Sequence, residues 1–239
     1  MIRGLGDGPR FVRTAVRYRR LHKRTGPFAL TLSRLYPCLG DWRETAGNVG
    51  GHYFYQDLWA AQKIHRARPS IHVDIGSRLD GFVAHLLCFM PVTVVDIRPL
   101  SATLEGLTFI QDDATTLTQF EDSSLESISS LHAVEHFGLG RYGDPINPDG
   151  PFQAMSSLAR VLRPAGRLYF SVPIGCQRLE FNAHRVFSPS TIVKAFSSLR
   201  LRSFSVVTDG GEYVTNTDPD SFADAWCACG LFEFTKNPG

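Results

Sequence analysis

Asp74, Asp96 and Asp113 stand at the ends of three short apolar runs, and a glycine turn follows the first. The run Asp74-Ile75-Gly76-Ser77-Arg78-Leu79-Asp80-Gly81 reads as a strand turning into a helix. Glycine there lets backbone approach a ligand closely, and amides at the helix start suit a carboxylate or phosphate. The spacing is not the dinucleotide G-x-G-x-x-G, because position 78 is Arg. Nor is it a phosphate-binding P-loop, since no Gly-Lys-Ser/Thr follows. Asp96 lies 22 residues after Asp74 and can accept two hydrogen bonds from a ribose 2′,3′-diol. Asp113, within Gln111-Asp112-Asp113-Ala114, can take the amino group of adenine. Each Asp alone is equally a turn residue or helix cap. As an ordered set they describe a site for an adenosine ligand that need not carry phosphate.

A second constellation is His132-Ala133-Val134-Glu135-His136, a literal match to the inverted zinc-protease pattern H-x-x-E-H. On a helix, His132 and His136 would share one face suited to Zn²⁺. The run instead follows a strand and lacks an evident third ligand, so proteolysis is disfavoured. A divalent metal on His132, Glu135 and His136 stays a minor alternative to no metal at all. The other readings are that Glu135 and His136 cap a helix and bond to neighbouring loops, or that they act as base or orient a substrate. Imidazole titrates near working pH, which makes His136 the preferred general base. His184 is second; His132 and His52 complete the candidates.

Three loops carry further polar and aromatic groups. Gly51–Asp57 is rich in both and holds Tyr53, Tyr55, Gln56 and Asp57, which can meet a ligand. The alternative is that Phe54 and Tyr55 are core and Asp57 caps the next helix. The loop Phe137–Gly150, with Arg141, is rich in Gly and Pro and can cover a site. Arg185, in Phe181-Asn182-Ala183-His184-Arg185, can bind an acidic group or form a surface ion pair.

The elements that position these residues alternate. Strands are predicted at 71–75, 92–96, 107–110, 126–131, 167–172, 201–207 and 231–235, and helices at 55–66, 82–89, 151–162 and 191–198. Strands alternating with helices imply right-handed crossovers and a mainly parallel sheet, whose ligands bind beyond the carboxyl ends of the strands. Residues 25–52 are irregular, and residues 11–23 form a basic amphipathic helix. Nine of the 25 Lys/Arg and one of the 23 Asp/Glu fall in residues 1–40, so an arm of net charge +8 precedes a body of −6. Residues 10–24 can meet an anionic membrane surface or an acidic protein, or pack on the chain's own acidic body; nucleic acid is disfavoured for want of a recognisable module. At 43% hydrophobic and 20% charged, the chain reads as globular. The longest apolar candidate, Phe82–Val95, is interrupted by His85 and Pro91, so no membrane span or secretory signal is expected. Five scattered cysteines point to a reducing, cytoplasmic setting, peripheral to the inner membrane face if the basic arm binds there.

The runs His72–Ser77, Val95-Asp96, Gln111–Ala114, Ser130–His136 and Val161-Leu162-Arg163-Pro164-Ala165-Gly166-Arg167-Leu168 together resemble class I S-adenosylmethionine-dependent methyltransferases over residues 71–236. The last run is similar to that family's LLKPGG turn. The resemblance implies a Rossmann-like α/β fold, a mainly parallel seven-stranded sheet with an antiparallel last strand, spanning residues 51–239 after a basic extension at 1–50. It implies S-adenosylmethionine as cofactor: Asp74 and Gly76 at the methionine end, Asp96 at the ribose and Asp113 at the adenine, with Ser77 and His132 also binding it, His132 beside its methyl group. Arg78 and Asp80 stand where the family's D-x-G-x-G-x-G has glycines. Within the superfamily, the runs Gly40-Asp41-Trp42, Gly51–Asp57 and Gly140-Arg141-Tyr142-Gly143-Asp144-Pro145 resemble a bacterial and nematode family. Its bacterial members look associated with surface-polysaccharide assembly. The expected reaction is methylation of oxygen or nitrogen on a small molecule, such as a sugar or polysaccharide precursor, with Tyr53, Asp57, Arg141 and Arg185 on the acceptor. The competing readings are a silent methyltransferase fold kept for binding or assembly, and an NAD(P)-dependent sugar-modifying enzyme.

Overall fold

A computed structural model of the chain describes residues 5–22, 26–47 and 49–237. By its internal contacts the chain divides into two compact units, Met1–Val49 and Gly50–Gly239.

In the first unit, helix α1 (Gly8–Leu21) begins with Pro9 in its first turn, where the missing N–H costs nothing. Arg13, Arg17 and Arg20 are exposed, and so are Val12, Val16 and Leu21. The helix ends at Leu21; Lys23 and Arg24 lie outside the described residues. The Gly40-Asp41-Trp42 run places the Trp42 ring between guanidinium groups, with Arg10 3.9 Å and Arg43 4.7 Å from its centre. Arg43 also pairs with the buried Asp7 at 2.6 Å. No helix among the described residues is long and apolar enough to cross a membrane.

The second unit is a sheet with helices on both faces. Helix α2 (His52–Ala67) buries Trp59, Ala60, Ala61 and Ile64 on one stripe. Leu58, the neighbouring apolar residue, is exposed, and the helix starts three residues earlier than the expected Tyr55, on Gly51. Strand β1 (Val73–Ile75) runs into the glycine turn, then a π-helical segment (Leu79–Val83) continued by α3 (Ala84–Leu87). Strands β2 (Val92–Asp96), β3 (Leu107–Gln111) and β4 (Leu125–Leu131) follow. Helix α4 (Gly150–Val161) leads into β5 (Leu162–Ile174). The short strands β6 (Arg178–Glu180) and β7 (His184–Val186) form a separate ribbon. Helix α5 (Pro189–Ala195) and strands β8 (Leu199–Val207), β9 (Tyr213–Thr215) and β10 (Ala228–Lys236) complete the unit.

The sheet order is β3-β2-β1-β4-β5-β10-β8-β9. Strands β1 to β5 pair in parallel, and β10 is antiparallel to both β5 and β8. The sheet thus has eight strands rather than seven. The addition is β9, a three-residue edge strand paired antiparallel to β8 across the Asp209-Gly210-Gly211 turn. Between β4 and β5 the pairing passes from Leu125–Leu162 to Ser127–Arg167, so residues 163–166 bulge out, with Ala165 at φ +60°. One sheet face packs on α4 and α5 through Met155, Leu158, Phe170, Phe196 and Phe232; the other packs on α2 and α3 through Trp59, Ile64, Leu86 and Leu131. The central strands are buried on both faces, which is why they read as nearly continuous apolar runs. Strand order reverses between β1 and β4, and the loops after these strands open the crevice that such sheets use for ligands.

Candidate functional site

At that reversal lies a cavity of about 270 Å³. Gly76, Ser77 and Arg78 line it after β1, Asp96 to Arg98 at the end of β2, and Asp113 to Thr115 after β3. His132, Ala133 and His136 line it after β4, and Tyr53 from α2. Phe137, Gly138, Tyr142, Asp144, Pro145 and Asn147 close it from the following loop.

The glycine turn is held from below by Asp74. Its carboxylate accepts from Ser77 N (3.1 Å), Ser77 Oγ (2.6 Å) and Ser129 Oγ (2.5 Å). Asp74 is fully buried and does not line the cavity, in contrast to its expected place at the methionine end. Three donors engage its carboxylate, and burial still pushes its pKa up to about 6. Gly76 has φ +70°, and a Cβ there would stand 3.1 Å from the Ala133 methyl. A side chain would be strained and would fill the space where the turn meets the cavity.

Asp96 points to the cavity but is engaged by Arg98. One oxygen accepts from Arg98 N (2.8 Å) and Nε (2.9 Å), the other from Nη2 (2.6 Å). The Arg98 guanidinium in turn lies over the Tyr142 ring at 4.6 Å. Asp113 Oδ1 caps its own turn by accepting from Thr115 N at 2.8 Å. Arg78 and Asp80, which replace glycines, form an exposed pair at 2.9 Å, and Arg78 covers the Tyr53 ring at 4.8 Å.

The H-x-x-E-H run is not helical. His132 has φ +48°, and only Val134–His136 form a single 3₁₀ turn. His132 Nδ1 meets Gln56 Oε1, so the ring turns toward α2 and away from the other two members of the run. His136 Nδ1 donates to Ala183 O at 2.7 Å. A carbonyl only accepts, so Nδ1 carries the proton and Nε2 the lone pair. Burial pushes His136 down to about 4 and His132 to about 3, so both are neutral at pH 7. Glu135 is fully buried; neither oxygen makes a hydrogen bond, and Oε1 stands 3.7 Å from His136 Nε2.

Desolvation raises Glu135 to about 8 from its ordinary 4.5. The folded chain therefore keeps a proton that the unfolded chain releases above pH 4.5. Stability falls as pH rises through that window, by about 1.4 kcal/mol per unit, and levels above pH 8. Glu135→Gln removes this slope. Thermal melts should show the variant more stable than the parent by a few kcal/mol at pH 8 and indistinguishable at pH 4. Equal melting at both values would sink the assignment of Glu135 as a buried neutral acid.

The remaining candidates divide. Tyr53 lines the cavity; Asp57, Arg141, His184 and Arg185 do not. Asp57 is buried beside Gln56, whose Nε2 donates to it at 3.0 Å. Arg141 shares the Ala183 carbonyl with His136, at 2.8 Å. His184 Nε2 is buried, 3.4 Å from Glu180 Oε2 and without a hydrogen bond. Arg185 differs from both sequence readings: Nη1 donates to the carbonyls of Phe137 (2.7 Å) and Glu135 (3.3 Å), so it fastens the loop after β4. Sequence reasoning missed Arg98, Thr115, Tyr142, Asp144 and Asn147. The Gly140–Pro145 run was the available signal for two of them.

That run has a physical basis. Asp144 accepts from the amides of Gly138 (2.7 Å), Gly140 (3.2 Å) and Tyr142 (3.1 Å), tying the loop into one turn. Gly138 has φ +75°, and a Cβ there would lie 1.8 Å from Asn147 O. Gly138→Ala should cost about 2–4 kcal/mol from left-handed strain plus overpacking. The melting temperature should drop by about 5–15 °C in calorimetry. An unchanged transition would mean that the loop is not held in this shape.

With this geometry in view, solved structures supply the comparison. An N1-methyltransferase for 1,6-didemethyltoxoflavin from Burkholderia thailandensis, bound to that substrate and S-adenosylhomocysteine, superposes with TM-score 0.54 at 16% identity. The match covers 83% of this chain and 81% of that one. The fold is that of class I methyltransferases. The N-methyltransferase NodS from Bradyrhizobium japonicum, with S-adenosylhomocysteine, has the same methyltransferase fold at TM-score 0.52 and 15% identity, covering 83% of this chain and 96% of its own. The [4+2]-cyclase SpnF is similar at TM-score 0.55 and 11% identity, over 77% and 82%. Residues 106–208, less than half of the chain, match the family described as Caenorhabditis protein of unknown function, DUF268. No curated protein matches the sequence.

Proposed function

We propose that this chain is an S-adenosylmethionine-dependent methyltransferase acting on an oxygen or nitrogen of a small molecule. One observation carries the reading: a cavity at the strand-order reversal presents Gly76, Asp96 and Asp113 in turn from β1, β2 and β3. The residues fit the cofactor. Gly76 keeps open the space a Cβ would crowd, Asp96 offers two acceptor oxygens to a ribose diol, and Asp113 and Thr115 stand at the adenine end. Ser77 and His132 stand at the amino-acid end. When bound, S-adenosylmethionine supplies an electrophilic methyl group. The chain must then align an acceptor and receive its proton. His136 is placed to do the second: Ala183 fixes its tautomer and leaves Nε2 unprotonated. Arg141, on the same carbonyl, is a positioning residue. Tyr53 and Tyr142 put aromatic rings on the cavity wall, which supports a carbohydrate acceptor. The similar N1-methyltransferase bound to 1,6-didemethyltoxoflavin supports the small-molecule class.

A reading without methyl transfer, as a binding module or for other chemistry, is favoured by Arg98, which occupies both oxygens of Asp96. SpnF, a cyclase on a similar fold, accords with it. An NAD(P) enzyme is disfavoured by the lack of G-x-G-x-x-G. The experiment is calorimetric titration with S-adenosylhomocysteine, with NADH in parallel, followed by labelled-methyl transfer to sugar acceptors. Micromolar binding of the first ligand alone supports the proposal. Binding of neither, or of NADH alone, would overturn it.

A further inference from the structure

Beside the cavity, side chains from three separate elements converge. His52 opens α2, His132 follows β4, and Cys229 lies on β10, strands and helix brought together by the fold alone. One ring nitrogen of each histidine and the Cys229 sulfur all lie within 4.8 Å of one another. The two imidazoles face each other with centres 5.5 Å apart. Cys229 Sγ is 3.9 Å from His132 Nδ1 and 3.9 Å from Gln56 Oε1, so an amide oxygen stands beside the set. His132 reaches it through a left-handed backbone, φ +48°, which a non-glycine residue adopts rarely and which concentrates at functional sites.

We infer that His52, His132 and Cys229 form a binding site for a thiophilic divalent metal, Zn²⁺ by preference. Two imidazoles and a thiolate are a borderline-soft donor set, and three protein ligands leave the fourth position of a tetrahedral ion open. This set is not the H-x-x-E-H run: only His132 is shared, and Glu135 and His136 are directed elsewhere. It gives a purpose to the Gly51–Asp57 run, in which His52 and Gln56 are four residues apart on one face of α2. His132 also lines the cavity, so the ion would form part of its wall. If the methyltransferase reading holds, on which this last step rests, the acceptor class narrows to a hydroxyl or thiol, groups that Zn²⁺ binds and acidifies.

The test uses the full chain, stripped by a chelator and titrated with Co²⁺ alone. The expected result is one Co²⁺ per chain, with near-ultraviolet thiolate-to-cobalt absorption that equimolar Zn²⁺ displaces. Cys229→Ser should abolish that absorption, and His52→Asn, at a half-buried helix start, should weaken binding about 100-fold or more. Circular dichroism melts confirm that both variants fold. Substoichiometric binding, or absorption unchanged in Cys229→Ser, would overturn the site. So would loss of binding in Glu135→Gln with Cys229 intact. Titration of S-adenosylhomocysteine into the same metal-free sample separates the two proposals: cofactor binding without metal uptake overturns the metal site and leaves the cofactor reading standing.

Discussion

Asp96→Ala should weaken S-adenosylhomocysteine binding roughly 30- to 150-fold in calorimetry while leaving the melting temperature nearly unchanged. The magnitude follows from two competing terms. A carboxylate accepting hydrogen bonds from a diol contributes about 2–3 kcal/mol more than a methyl, which converts to that range. Against it stands Arg98, which must yield at least part of its hold on Asp96. That ion pair is half exposed on the arginine side, and such pairs are worth about 0–1 kcal/mol, so the ligand wins. The same weakness explains the small stability effect. Arg98→Ala is the discriminating partner: removing the competitor should leave affinity unchanged or up to about fivefold tighter. If Asp96→Ala binds within threefold of the parent, the ribose assignment fails. If Arg98→Ala loses affinity as Asp96→Ala does, Arg98 itself contacts the ligand, and an anionic group becomes the better reading.

Much of the sheet was legible because parallel strands buried on both faces leave apolar runs with turn residues at their ends. Val92–Asp96 is such a run and its bounds hold; Leu107–Gln111, an edge strand with no fully buried residue, holds to within a residue through its apolar composition. β9 was not legible: three residues at an edge, two of them exposed, carry no periodicity. The cavity wall divides in the same way. Gly76, Asp96 and Asp113 are at strand ends, where sequence order maps onto spatial order. Asp74 shows the limit of that mapping. It is mid-strand, its side chain lies under the turn, and only the serines at 77 and 129, the latter 55 residues away on β4, reveal that it is consumed. The H-x-x-E-H run was placed rightly after a strand, but the left-handed backbone that turns His132 away from Glu135 and His136 is a feature a composition-based reading cannot see. Arg185 fails for a distant one, since its partners are carbonyls of a loop nearly 50 residues upstream. Cys229 needed the antiparallel return of β10 to reach α2.

His136→Gln should reduce methyl transfer about 10²- to 10⁴-fold, the usual loss on removing a positioned base, with cofactor affinity changed less than threefold. His136 makes one strong bond, to Ala183 O, so glutamine can keep that donor and lose only the basic nitrogen. Burial holds the imidazole at about 4, so it is unprotonated throughout the neutral range. The pH profile therefore has a definite sign. The rate should be flat from pH 6 to 8 and fall below about pH 4, rather than falling through 6.5 as an exposed histidine would require. A base this weak also limits which acceptors it can serve, because proton transfer is most effective when the pKa values match. It serves a sugar hydroxyl late in transfer, when the forming C–O bond has made that proton acidic, and a more acidic hydroxyl earlier. Unchanged turnover in His136→Gln would move the proton to another group. A rate that rises with a pKa near 8 would point to Glu135, 3.7 Å away, as the group that accepts it.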